Sequence, residues 1–267
     1  MTYKAIIVER IEAVVRVTLN RPDSLNALNL QMLRELKEIA TSLAADSSVR
    51  AVLLTGQGRG FCSGADIVNY DLPMDDTKTL GQNIGGHVRN FYNPAGSAWA
   101  ALPMPLIVAV NGVAAGAGMS LALAGDIVVA ARSARFIQVF APKLGLVPDV
   151  GSTFHLLRLI GSARAKGLAM LGDALPAEKA VAWGLIWECV DDAELQDHCL
   201  AMAHKLSKGP TNGFRKTKQL LSQSPCATID DQMVLEADAQ EELAGTADYS
   251  EAIAAFSAKR QPAFTGK

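Results

Sequence analysis

The chain has no CxxC pair, no histidines at metal-ligand spacing, no unbroken apolar run of membrane length and no surplus of either charge. Its four cysteines, Cys62, Cys189, Cys199 and Cys226, stand far apart in 267 residues. That spacing argues against a disulfide framework or structural zinc, so no metal is expected, and reduced thiols suit a cytoplasmic protein. His87, His155, His198 and His204 form no liganding pattern. The nearest approach to a membrane span, residues 108–124, is broken by Asn111 and three glycines. The opening MTYKAIIVER carries no signal-peptide core. A net charge of −2 without a basic block leaves no field to hold nucleic acid. The phosphate-loop string GxxxxGK[ST] is missing. So is GxGxxG with an acidic residue about 20 positions on, so neither a nucleotide nor a nicotinamide site is expected.

What is present is an ordinary globular composition, 49% hydrophobic and 19% charged, sufficient for a large core. Short β-branched runs at residues 6–8, 14–19, 51–55, 106–110 and 126–131 read as strands. Residues 30–45 have helical apolar spacing. A helix is predicted over residues 82–101 with a kink at Pro94, and another over residues 144–157. Residues 68–86 are polar and aperiodic, which suits a mobile segment over a site. After about residue 160 the pattern is helical. The expected fold is α/β, a spiral of repeated ββα units, with residues 1–200 as core and residues 201–267 as a helical C-terminal subdomain.

Two glycine-rich turns follow buried strand patterns: GFCSGAD at residues 60–66 and NGVAAGAGMS at residues 111–120. Each alone is a tight turn or a close packing point. Two of them releasing backbone N–H groups into one cleft can hold a carbonyl oxygen as it gains negative charge. Asp149, in LVPDVG, is the other candidate. Its apolar flanks should desolvate the carboxyl and raise its pKa, making it a base. The competing reading is a helix cap, since Asp is favoured immediately before a helix.

The strings NRPDSLNALN, GRGFCSGADI, PLIVAVNGVAAGAGMSLALAGDIVVAA and KLGLVPDVGSTFHLLRLIG, in that order, resemble the crotonase (enoyl-CoA hydratase/isomerase) superfamily over nearly the whole sequence. The resemblance implies a ββα spiral, a homotrimer or hexamer, an acyl-CoA substrate and no cofactor beyond the coenzyme A of that substrate. It implies that Ser63 and Ala117 supply the two oxyanion N–H groups. It implies that Leu25, Ala27, Ser63, Gly64, Ala65, Asp66, Ala117, Phe256 and Lys259 lie along the CoA path. Asp66 also reads as an Asx-turn or cap, and Lys259 as a solvated lysine.

Family hydratases carry two glutamates for water addition. The matching places here hold Ser120 and the stretch Val139-Phe140-Ala141-Pro142. Family isomerases place one carboxylate where Asp149 stands. RNFYNP, WGLIW and KRQPAFTGK further resemble the family's ring-epoxide isomerases of phenylacetate breakdown, acting on 2-(1,2-epoxy-1,2-dihydrophenyl)acetyl-CoA. Shifting an enoyl-CoA double bond is the related activity. A hydratase, a dehalogenase-like nucleophilic Asp149 and a non-enzymatic RNA-binding or scaffold member are the alternatives.

Overall fold

The computed structural model describes residues 3–267, apart from the side chain of Cys226. Its strands are β1 (Ile6–Ile11), β2 (Val14–Leu19), β3 (Ala51–Gly56), β4 (Gly60–Cys62), β5 (Leu106–Val110), β6 (Val113–Ala115), β7 (Ile127–Ala131), β8 (Arg135–Ile137), β9 (Leu175–Pro176) and β10 (Glu188–Val190). Its helices are α1 (Leu30–Ala45), α2 (Leu80–His87), α3 (Asn93–Ala100), α4 (Ala117–Leu123), α5 (Ser152–Leu171), α6 (Ala177–Trp183), α7 (Leu195–Ser207), α8 (Thr211–Gln223), α9 (Ile229–Ala244) and α10 (Ala247–Ser257).

A six-stranded sheet runs β1-β2-β3-β5-β7-β10, and a four-stranded one runs β4-β6-β8-β9. The pairs β3/β4, β5/β6 and β7/β8 each give one strand to the large sheet and the next to the small one before a helix follows. That is the ββα spiral expected from sequence. The large sheet is parallel beyond its β1/β2 hairpin. Parallel strands need both faces covered, so β3 and β5 are buried along their whole length and apolar but for Thr55 and the terminal Gly56 of β3. Trp99 of α3 is sealed in the core and donates its indole N–H to Leu36 C=O of α1 at 3.0 Å. Cys199 and Ala203 of α7 are fully buried, and α7 packs on β3, β5 and β7.

Three expectations are corrected. Residue 200 lies inside α7, so the proposed boundary would cut a helix that belongs to the core, and the appended helices begin after Ser207. The helix predicted over residues 82–101 is present, α2, a π-turn at Val88–Tyr92 and α3 following one another without a break. Pro94 sits in the first turn of α3, where its missing N–H is harmless, and the wider π-turn takes up the irregularity just before it. The helix predicted from residue 144 starts only at Ser152, because Gly145 turns left-handed at φ 64 and Pro148 follows.

The segment 68–86 is stitched rather than loose. The Asn83 side chain accepts from Asp75 N–H at 2.9 Å and donates to Asp75 C=O at 3.0 Å. His87 bridges Pro73 C=O and the Tyr70 hydroxyl at 2.8 and 2.5 Å. Thr79 and Gln82 form a full capping box on α2.

Candidate active site

Both glycine turns leave the C-terminal ends of parallel strands and meet. A Cβ on Gly64 would sit 2.8 Å from Ala115 C=O and 3.4 Å from Ala117 N, and φ of +96° also requires glycine there. Ala117 is the first residue of α4, so its N–H has no acceptor within the helix. Its side chain is buried.

Ser63 does not provide the second free donor. Its N–H is bonded to Leu25 C=O at 2.9 Å, and its hydroxyl reaches Ser24 C=O at 3.2 Å. Ser63 therefore anchors the loop of residues 20–29. Along extended backbone, successive N–H groups point to opposite sides. Leu28 bridges Ala65 through Leu28 N–H to Gly64 C=O and Asp66 N–H to Leu28 C=O. The Ala65 N–H is thus turned the other way and meets no acceptor among the described residues. The sequence places Ala65 on the CoA path. Its backbone direction is invisible there, because no side-chain pattern encodes it.

Asp149 lies in the turn before α5. The cap reading fails: α5 is capped by Gly151, and no side chain bonds to its first turn. The Asp149 Oδ1 atom is sealed from solvent and has no hydrogen-bond partner. Burial lifts the carboxyl from the ordinary 3.8 to about 6, opposed only by a bond from its own backbone N–H. The backbone carbonyl oxygen of Asp149 accepts from Ser152 N–H and from the Ser120 hydroxyl, both at 3.0 Å. Ser120 Oγ and Ser152 Oγ are 2.6 Å apart, and Gln138 Nε2 donates to Ser152 Oγ at 3.0 Å.

The π-turn and α3 wall the other side. A Cβ on Gly96 would come within 2.3 Å of Val150 Cγ1, so the Asp149 turn presses directly on α3. Tyr92, one turn earlier on the same face, is buried and bonds weakly to Leu28 C=O at 3.5 Å. Burial raises its phenol, and the nearby Tyr70 and Asp149 add to the effect. Tyr92 thus stands between the Leu28–Ala65 bridge and Asp149. Phe91 packs on His87 with ring centroids 6.1 Å apart.

The other sequence candidates divide. Leu25 adopts a left-handed φ of 52° and Ala27 is buried, both beside the Ser63 turn. Asp66 is a structural hub: Oδ2 binds Arg21 Nη2 at 2.8 Å and Oδ1 accepts from Asn69 N–H at 2.9 Å. The Asp66 carboxylate thus reaches the backbone three residues on, as a cap does, rather than two as in an Asx-turn, although no helix follows it. Phe256 and Lys259 are exposed, and no hydrogen bond or ion pair joins either to the Asp149 cluster among the described residues. The C-terminal segment after them is tied to the N-terminal end of the interior strand β3, where Arg50, preceding β3, donates to Phe264 C=O at 2.8 Å.

Asn26, inside the NRPDSLNALN string, is a clamp whose role the string does not reveal. Fully buried, it accepts from Arg21 N–H at 2.8 Å and donates to Gln57 and Gly60 C=O at 3.0 and 2.8 Å, fixing the loop to the first glycine turn. Among the described residues, no three His, Cys, Asp or Glu side chains gather as metal ligands would. Among the described residues, no helix is long and apolar enough to cross a membrane. A groove of about 1000 Å³ lined by Leu102, Asp126, Trp187, Lys218 and Leu221 reaches α5 at His155.

A family model described as Enoyl-CoA hydratase/isomerase matches residues 9–267. The chain belongs to the enoyl-CoA hydratase/isomerase family. It is 48% identical to a 1,2-epoxyphenylacetyl-CoA isomerase of Escherichia coli K12, over 96% of each protein. It is 34% identical to a 2,3-dehydroadipyl-CoA hydratase of the same organism, over 98% of this chain and 99% of that one. Among solved structures, an enoyl-CoA hydratase from Bacillus anthracis superposes with a TM-score of 0.90 at 31% identity, covering 99% of this chain and all of that one. The relatives of this chain thus include both a named isomerase and a named hydratase.

Proposed function

We propose that this chain is an acyl-CoA isomerase working through a thioester enolate, with Asp149 as its one acid/base. The thioester carbonyl oxygen lies between the N–H groups of Ala65 and Ala117. The Asp149 carboxylate takes a proton from the acyl chain, and the electron pair moves onto the held oxygen. The proton then returns to a different carbon, so the double bond shifts, atoms are conserved and the carboxylate is regenerated. With a ring-epoxide acyl group, the same charge held in the same place assists opening of the three-membered ring toward the isomeric oxepin. The likeness to the 1,2-epoxyphenylacetyl-CoA isomerase supports that substrate.

The single observation carrying this reading is the sealed, partnerless Oδ1 of Asp149 with its carboxyl raised to about 6. A carboxylate serving only structure would be paired or hydrogen-bonded. The serine at position 120 argues against water addition, which needs a second carboxylate. Leu25, Ala27, Gly64 and Ala65 line the CoA path. No further cofactor takes part. The exposed apolar side chains Ile229, Met233, Val234, Ile253 and Phe256 on α9 and α10 support assembly as a homotrimer or hexamer, in which Phe256 and Lys259 serve a neighbouring subunit's CoA. Light scattering of the purified protein checks the assembly.

The test is an acyl-CoA panel, including 1,2-epoxyphenylacetyl-CoA and 3-enoyl-CoA esters, assayed with wild type and Asp149→Asn. Isomerisation by wild type and its loss in the variant, with CoA-ester binding retained, is the expected result. Full activity in the variant removes Asp149 from the mechanism. Hydration of crotonyl-CoA without isomerisation makes the protein a hydratase, and salt-sensitive RNA retention on filters revives the non-enzymatic alternative.

A further inference from the structure

The geometry points to a hydrogen-bonded relay, Gln138 to Ser152 to Ser120, as the device that aims Asp149 at the acyl group, an inference that rests on the isomerase reading. The Asp149 carboxylate is not anchored at Oδ1, which has no partner. Its direction is therefore set by its own backbone. That backbone is strained. Val150, a β-branched residue, holds φ at 50°, a left-handed conformation that such side chains rarely adopt. A turn of this kind persists only when its surroundings over-determine it.

Counting hydrogens shows how they do so. Gln138 Nε2 donates to Ser152 Oγ, which leaves the Ser152 hydroxyl hydrogen for Ser120 Oγ. Ser120 then has its own hydrogen free for Asp149 C=O, which also receives Ser152 N–H. Gly116 C=O, at 3.2 Å, is the longer alternative for Ser120. Gln138, Ser120 and Ser152 are all fully buried. The arrangement leaves Gln138 Oε1 sealed without a partner. Rotating the amide would pair that oxygen with Ser152, but it would reverse the relay and withdraw the hydrogen from Asp149 C=O. Gln138 Nε2 also donates to Met119 Sδ at 3.4 Å, a contact that favours this amide orientation.

The relay also spans the reacting groups. Ser120 stands three residues after Ala117 on α4, one turn from the proposed oxyanion donor. Clamping Asp149 C=O to Ser120 therefore fixes the separation of base and oxyanion donor. The position that holds a glutamate in family hydratases here carries a positioning residue instead.

The test uses Ser120→Ala, Ser152→Ala and Ser120→Thr in the full-length protein, with the panel substrate that wild type turns over best. Titratable side chains beside the turn include Tyr92 and His155. Each alanine variant is expected to lower kcat about 10- to 100-fold with KM within twofold. The acid limb of the kcat profile should move to lower pH as the loosened carboxylate gains water. Ser120→Thr, which keeps the hydroxyl, should recover most of the rate. The double alanine variant should be no worse than the poorer single one. Wild-type kcat in both alanine variants, beside an inactive Asp149→Asn, overturns the relay and leaves the isomerase reading standing. A rate loss that follows the folded fraction with an unmoved acid limb overturns it too. Full activity of Asp149→Asn removes both ideas together.

Discussion

Two aspartates sit near the same cleft in opposite circumstances. The Asp66 side chain is 4% exposed and fully partnered, by Arg21 and by Asn69 N–H. Asp149 is half-buried, and one of its oxygens touches nothing that can donate. Both follow glycine-rich or proline-bearing turns, and both read as capping residues on sequence grounds. The difference teaches that burial alone does not make a carboxylate reactive. Burial with partners makes a strut, and burial without them suits the base proposed at Asp149.

The largest contrast should appear in rate. Asp149→Asn is expected to lower kcat about 10³-fold, whereas Asp66→Asn should leave kcat per folded molecule within a fewfold. Equal losses in steady-state assays would erase the distinction. Stability should rank the pair the other way. Asp66→Asn strands the Arg21 guanidinium and should cost about 3 kcal/mol in urea unfolding. An unchanged midpoint would mean the ion pair contributes nothing net.

Asp149→Asn should instead stabilise the protein. The folded carboxyl titrates near 6 and the unfolded one near 3.8. Ionising it inside the fold is thus unfavourable, and stability falls as pH rises from 3.8 through 6. The penalty is complete above that range, at up to about 3 kcal/mol. The variant should melt higher than wild type at pH 8, with the gap closing below pH 4. A gap independent of pH would point to packing rather than charge. The smallest effect belongs to Arg21→Lys. Arg21 bonds Asp66 and Ala27 C=O through different nitrogens, which one ammonium cannot reproduce. A loss of about 1 kcal/mol is expected by calorimetry.

The spiral is legible because each unit repeats the same pattern: an apolar strand, a glycine turn, a helix. The buried runs at β3 and β5 and the helix α1 appear where periodicity puts them. What escapes is set by backbone direction or by distant partners. Ser63 and Ala65 differ only in which way an N–H points, and composition cannot record that. The π-turn before Pro94 and the late start of α5 depend on backbone choices among several that the residues tolerate. The tie between residue 83 and residue 75 makes an aperiodic segment into an ordered one. Asp149 stands out as a candidate, yet deciding between cap and base requires seeing that no side chain bonds to the first turn of α5.

The missing side chain at position 96 has a practical corollary for anyone wishing to retune the acyl end of the cleft. Aromatic neighbours such as Phe91 or Tyr70 can be exchanged in pursuit of a new acyl group. Residue 96 cannot grow, because its emptiness is the mould in which Val150 was cast. Even one added methyl would evict that valine and carry the adjacent carboxylate out of register, so a diversified library should leave this position invariant.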